Sequence, residues 1–160
     1  MSIIVEEGTG TNLAANSYVS EAELVAYAAA RGITLTVSAE QLLIKAMDYI
    51  ESLSYISEKK NCKQPLQWPR CFSYYSYNCC SYLEGIPKEL KAGQMEAAIA
   101  ISQGNDPLQD SPIGVKRKKL EGLEIEYKDG GSSVIVNKRI LTSLRRLLAS
   151  GGYQLPVRKG

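Results

Sequence analysis

The side chains that most often carry out chemistry are sparse in this chain. It contains no histidine. That removes Ser-His-Asp and Cys-His nucleophilic catalysis outright. The four cysteines, Cys62, Cys71, Cys79 and Cys80, fall within nineteen positions, and none are spaced as C-x-x-C. Zinc sites pair their ligands at short gaps, often with histidine, and adjacent Cys79 and Cys80 are poorly placed to share one ion. Free thiols in a reducing compartment are the expected state. No Gly-rich phosphate loop occurs, and no pair of carboxylates falls in a pocket pattern. Glu23, Asp48 and Glu51 fall on helical segments and read as exposed charges. An enzyme is therefore not expected, and neither is a cofactor or a metal site.

Chemistry of contact is better represented. The stretch Cys71-Phe72-Ser73-Tyr74-Tyr75-Ser76-Tyr77-Asn78-Cys79-Cys80-Ser81-Tyr82 holds four of the ten tyrosines and no charge. Tyrosine offers a large contact area, few rotors and a polar tip, which suits protein contacts. The rings of Tyr74, Tyr75, Tyr77 and Tyr82 also suit base stacking in a single-strand binder, although Arg70 is the nearby arginine for a phosphate. A loop packed on its own domain is the plainest alternative. A second stretch, Lys116-Arg117-Lys118-Lys119, could face DNA phosphates. It could equally pair across a hairpin with Glu124 and Glu126, which is the simpler account.

The elements that would position these groups follow from pattern. At 160 residues, 44% hydrophobic and 22% charged, one domain with a real core is expected. A net charge of +2 gives no global polyanion signature. No apolar run reaches the ~18 residues of a membrane span. The N-terminus lacks a signal-peptide pattern, so a cytosolic origin is the default expectation. Ile3-Ile4-Val5 is a short β-like run. Ser20 and Glu23 form a capping box, opening a helix with Leu24, Val25 and Ala28 on one face and Gly32 after its end. Ser38 with Gln41 repeats the cap, and Leu42, Leu43, Ala46, Met47, Ile50 and Leu53 trace a core stripe ending near Tyr55.

Gln64-Pro65-Leu66-Gln67-Trp68-Pro69-Arg70 holds the one tryptophan and two of six prolines. Each proline fixes its own φ and biases Gln64 and Trp68 toward extended backbone, so a stiff extended connector is expected. Pro87 at N1 starts a third helix, apolar nearly all round in its second half and hence central. Leu123, Ile125 and Tyr127 alternate with Glu124 and Glu126, as in a hairpin spanning about 113–128. Asn137 caps a last helix with Ile140, Leu141, Leu144, Leu147 and Leu148 in one stripe. The fold class is thus mainly α: a bundle of about four helices in 1–150, a short β-hairpin, and an extended C-terminal arm in 151–160. That arm, with Tyr153, Leu155, Val157 and Arg158, is either a frayed terminus or a docking strand.

The order of these pieces resembles a family of tailed-bacteriophage head–tail adaptors, also called head-completion or connector proteins. Its relatives include proteins described as DnaT-like single-stranded DNA-binding proteins. The resemblance covers about residues 1–130 and is carried by Ala15-Asn16-Ser17-Tyr18-Val19-Ser20, Ala46-Met47-Asp48-Tyr49-Ile50, Gln64–Arg70 and Gly85-Ile86-Pro87. In that family the structural motif is Gln64, Pro65, Trp68, Pro69 and Arg70. Relatives have a shorter Gly/Asp turn where this chain has Cys71–Tyr82, so the resemblance assigns that loop no role.

What the resemblance implies is a virion component of the head–tail neck, assembled in the host bacterial cytoplasm. Its copies would form a ring, commonly of twelve, on the portal. The ring would complete the channel for packaged DNA and present a platform to tail or nozzle proteins. The arm would reach the portal or a neighbouring copy. A ring needs two unlike surfaces on each subunit. Tyr74, Tyr75, Tyr77, Tyr82, Tyr153, Leu155, Val157 and Arg158 are the candidates for them.

Overall fold

A computed structural model describes residues 2–72, 81–82, 85–108, 117–120, 123–126 and 138–149. Four helices carry the fold: α1 (Glu21–Ala29), α2 (Ala39–Ser52), α3 (Lys88–Ser102) and α4 (Lys138–Leu144). Three short strands, β1 (Glu58–Lys59), β2 (Arg70–Phe72) and β3 (Ser81–Tyr82), form an antiparallel sheet in the order β1-β2-β3. A separate antiparallel hairpin joins β4 (Arg117–Leu120) and β5 (Leu123–Glu126). The mainly α class with one hairpin is as the pattern implies. The three-stranded sheet is an addition, because strands this short carry too few residues to show alternation.

α3 is the central helix, packed against α1, α2 and α4. Its buried face includes Leu90, Ala97, Ala98, Ile99 and Ala100, and also Gly93 and Gln94. Gly93 lets α4 come close: a Cβ there would lie 2.6 Å from Leu144 Cδ2. The stripe of α2 is buried through Leu42, Leu43, Ala46, Met47 and Ile50, but the helix ends at Ser52, short of Tyr55, where Leu53 turns extended as the C-cap and is half-buried. On α1, Leu24 and Ala28 are buried but Val25 is 51% exposed. Adjacent residues sit about 100° apart around a helix, so Leu24 and Val25 cannot share a narrow face.

Helix ends show where local signals hold. Ser20 Oγ accepts from Glu23 N–H, and the Glu23 carboxylate accepts from Ser20 N–H, completing the capping box. Gly32, at φ +66°, closes α1 with Ile33 N–H on Ala28 O and Gly32 N–H on Ala29 O. α3 ends the same way at Gly104. Ser38 stands before α2 but makes no side-chain cap bond. The start of α2 is held from outside: just upstream, Thr36 N–H donates to Ser102 Oγ and Thr36 Oγ1 to Ser102 O. Pro87 takes the N-cap of α3, one place before the expected N1.

The last helix is shorter than its leucine stripe. α4 stops at Leu144, and the chain turns so that Ile56 N–H donates to Leu147 O and Ala149 N–H to Ser54 O. Leu147 is still buried, but in the turn after α4, next to the Tyr55–Leu148 backbone bridge and not on a helix. Tertiary pairing there overrides helical propensity. Asn137 and the arm 151–160 lie outside the described residues.

Candidate functional site

The two segments that carry the sequence resemblance meet in space. Tyr18 is fully buried, and its hydroxyl donates to Glu51 Oε1 at 2.6 Å while accepting from Trp68 N–H at 3.1 Å. Glu51 Oε2 accepts from Gln67 N–H at 2.8 Å. One tyrosine and one carboxylate thus fasten the 64–70 segment to α2. Trp68 is fully buried, with its ring edge-on to Tyr55 at 5.9 Å between centroids. Glu51 is not the exposed helix charge its position suggests. Burial pushes its carboxyl upward from the ordinary value, against the opposing pull of Tyr18 O–H, Gln67 N–H, Lys59 and Arg70. Burial and the neighbouring Glu51 likewise push the Tyr18 phenol up, so it stays a donor throughout the physiological range.

The connector itself is not extended. Gln64 folds it back on itself: Nε2 donates to Leu66 O at 2.8 Å and Pro69 O at 3.0 Å, and Oε1 accepts from Asn61 N–H at 3.0 Å. These three bonds outweigh the local bias that prolines give to extended backbone. The Trp68–Pro69 peptide is cis, and Pro65 is exposed on the outside of the turn. Leu66 and Trp68 both enter the core. Arg70, 8% exposed, donates to Ile56 O, Gln67 O, Gln67 Oε1 and Ser57 O. Those bonds hold Ser57 at φ +65°, a conformation that residues with side chains seldom adopt.

A second clamp escaped the sequence reading. Gln94, fully buried in α3, accepts from Tyr18 N–H at 3.1 Å and donates to Ser17 Oγ at 2.9 Å. Asn16 Oδ1 accepts from Ile4 N–H, so the whole Ile4–Tyr18 entry is pinned. Glu6 Oε1 accepts from Gly8 N–H and Gly10 N–H in the same entry. The available signal was a glutamine inside an apolar helical face, since an unpaired buried amide is costly and implies partners. Together Gln64, Trp68, Arg70, Tyr18, Glu51 and Gln94 form a structural lock, with most of its side-chain hydrogen bonds ending on backbone groups. It fastens the 64–70 segment and the Ile4–Tyr18 entry onto α2 and α3.

The contact candidates are placed unevenly. Tyr82 lies on β3, with Cys71 of β2 opposite it. Tyr74, Tyr75, Tyr77, Tyr153, Leu155, Val157, Arg158 and Lys116 lie outside the described residues. The hairpin register sets Arg117 opposite Glu126, Lys119 opposite Glu124 and Lys118 opposite Ile125. That register is the one the cross-strand charge pattern implies. Cys62 and Cys71 are free cysteines. Among the described residues no group of three His, Cys, Asp or Glu side chains could hold a metal ion, and no helix is long and apolar enough to cross a membrane.

Over residues 1–160 the chain matches the family model described as "Putative DnaT-like ssDNA binding protein". No curated protein and no solved structure matches it. The chain belongs to this DnaT-like family.

Proposed function

We propose that this protein binds single-stranded DNA and does no chemistry on it. The observation that carries the proposal is the family match over the full 160 residues. The residues supply a physical route. Tyr74, Tyr75, Tyr77 and Tyr82 stack bases, which every base permits through its π-face. Lys116, Arg117, Lys118 and Lys119 meet phosphates, which releases counterions. Residues 73–80 join β2 to β3, and the two described ends of that stretch, Phe72 and Ser81, lie opposite each other. The test is fluorescence anisotropy of a labelled oligothymidylate across a salt series. A steep fall of log K with log salt supports strand binding. Absence of binding at low salt overturns it.

A second reading is a head–tail adaptor of a tailed phage, with neighbouring copies in a ring between portal and tail or nozzle proteins. One observation favours it. The outer face of α1 leaves Ala22, Val25, Ala26 and Ala29 exposed, an apolar helical stripe that a neighbouring copy could cover. In this reading Tyr153, Leu155, Val157 and Arg158 dock the arm. Purified portal should then retain the full chain at micromolar concentration and lose the chain truncated before Tyr153, with the helices still folded. Failure of the full chain to bind portal would count against it.

A further inference from the structure

The segment that follows α2 ties distant parts of the chain together. Its first half pairs with the residues after α4: Ile56 N–H donates to Leu147 O and Ala149 N–H to Ser54 O, both at 3.0 Å, with Tyr55 and Leu148 in an antiparallel bridge. Its second half is β1, where Glu58 lies opposite Cys71 and Lys59 opposite Arg70. Between the halves stands Ser57 at φ +65°, whose carbonyl accepts from Arg70. Two basic stretches are thereby fixed to one short piece of backbone. Lys60 and Lys63 follow β1, and Arg145 and Arg146 immediately precede Leu147.

The first stretch is held as a turn on the lock. Lys60 N–H donates to Pro69 O at 3.0 Å, Asn61 N–H to Gln64 Oε1 at 3.0 Å, and Lys63 N–H to Asn61 Oδ1 at 3.0 Å. The backbone is fastened while the side chains face water. Lys60, Lys63, Arg145 and Arg146 are all exposed, and among the described residues none of the four makes an ion pair. Arg70 and Lys59 differ. Arg70 is buried and spends its donors on Ile56, Ser57 and Gln67, and the half-buried Lys59 acts on the Glu51 carboxyl. Glu58 is the exposed acid on β1. β2 lies between β1 and β3 in one sheet, so the strand that carries Tyr82 is two places from Lys59. Exposed cations on a pinned backbone can exchange counterions for phosphates. Single-strand binders set such a basic track beside an aromatic platform.

We infer that Lys60, Lys63, Arg145 and Arg146 form one phosphate-tracking surface for a bound single strand, joined by the pairing of 54–56 with 147–149. This rests on the strand-binding reading above and names contacts that the tyrosine and Lys116–Lys119 stretches do not include. The test is the oligothymidylate titration across salt with four chains. They are wild type, Lys60→Glu/Lys63→Glu, Arg145→Glu/Arg146→Glu, and Lys45→Glu/Lys138→Glu. The last pair makes the same charge change at exposed positions in the middle of α2 and the start of α4.

Each of the two surface variants should bind at least tenfold more weakly at low salt. Each should lose about 1.4 from the salt slope, two phosphates at ~0.7 each. The control pair should lose much less of either. Losses no larger than the control's, or a loss confined to one surface variant, would overturn the joint surface while leaving strand binding intact. No binding by wild type would overturn both. Lys60→Gln/Lys63→Gln and Arg145→Gln/Arg146→Gln, checked by helical circular dichroism, guard against a folding defect and should lower the slope equally with a smaller fall in affinity. In the wild-type chain, bound strand should shield Lys60 and Lys63 from acetylation more than Lys45 and Lys138, as peptide mass spectrometry reads it. Equal shielding at the four lysines would contradict the surface.

Discussion

Tyr18, Gln64 and Gln94 are buried polar side chains, and Glu51 is a half-buried one, set among apolar residues. Each is tolerated because its hydrogen bonds replace those lost to water. Tyr18→Phe removes one donor and one acceptor together, and should cost about 1–3 kcal/mol in denaturant unfolding. Glu51 makes the stability pH-dependent with a definite sign. Its folded pKa is raised, so the folded chain binds the proton more tightly than the unfolded one. The stabilisation is full below the unfolded carboxyl range and is lost as pH rises through it toward the folded value. Glu51→Gln keeps one of two acceptor oxygens. It should be weaker than wild type at acid pH by about 1 kcal/mol and show a flatter profile above it. An unchanged profile in stability-versus-pH melts would show that Glu51 does not titrate as argued. None of these partners was legible from residue type alone, since a tyrosine or glutamine names its need for a partner but not which one.

Elements were more legible than their fastenings. The helices α1, α2 and α3 follow local rules in place and in most of their buried faces, with ends within about three residues of those the pattern implies. Ser20 and Ser38 look alike in sequence, yet only Ser20 makes its cap bond. Ser20→Ala should therefore lose about 1 kcal/mol, while Ser38→Ala should change little, as thermal melts of the two variants would show. The α3–α4 contact depends on Gly93. Alanine normally improves a helix by about 1 kcal/mol over glycine. Here the added Cβ meets Leu144 at 2.6 Å. Gly93→Ala should therefore destabilise by about 1–3 kcal/mol. In a Leu144→Ala background the same change should cost less, and a double-mutant cycle with no coupling would refute the contact. The early end of α4 and the folded-back connector were not readable, because both are set by long-range hydrogen bonds, to Ser54 and Ile56 in one case and through Gln64 in the other.

At the scale of the molecule, a four-helix body is locked by buried polar groups. The sequence marked Gln64–Arg70 as a structural motif packed by Trp68 but misjudged its shape, which is folded back through Gln64 and not extended. It also passed over the meeting of Lys60 and Lys63 with Arg145 and Arg146, which rests on the long-range pairing of 54–56 with 147–149. Membership in the DnaT-like family makes strand binding the central proposal. The most direct measurement is native mass spectrometry of the full chain with a short oligothymidylate at low ionic strength. A stoichiometric protein–strand adduct that dissolves as salt is raised is the predicted result. Free protein and free strand side by side at micromolar concentrations would contradict it.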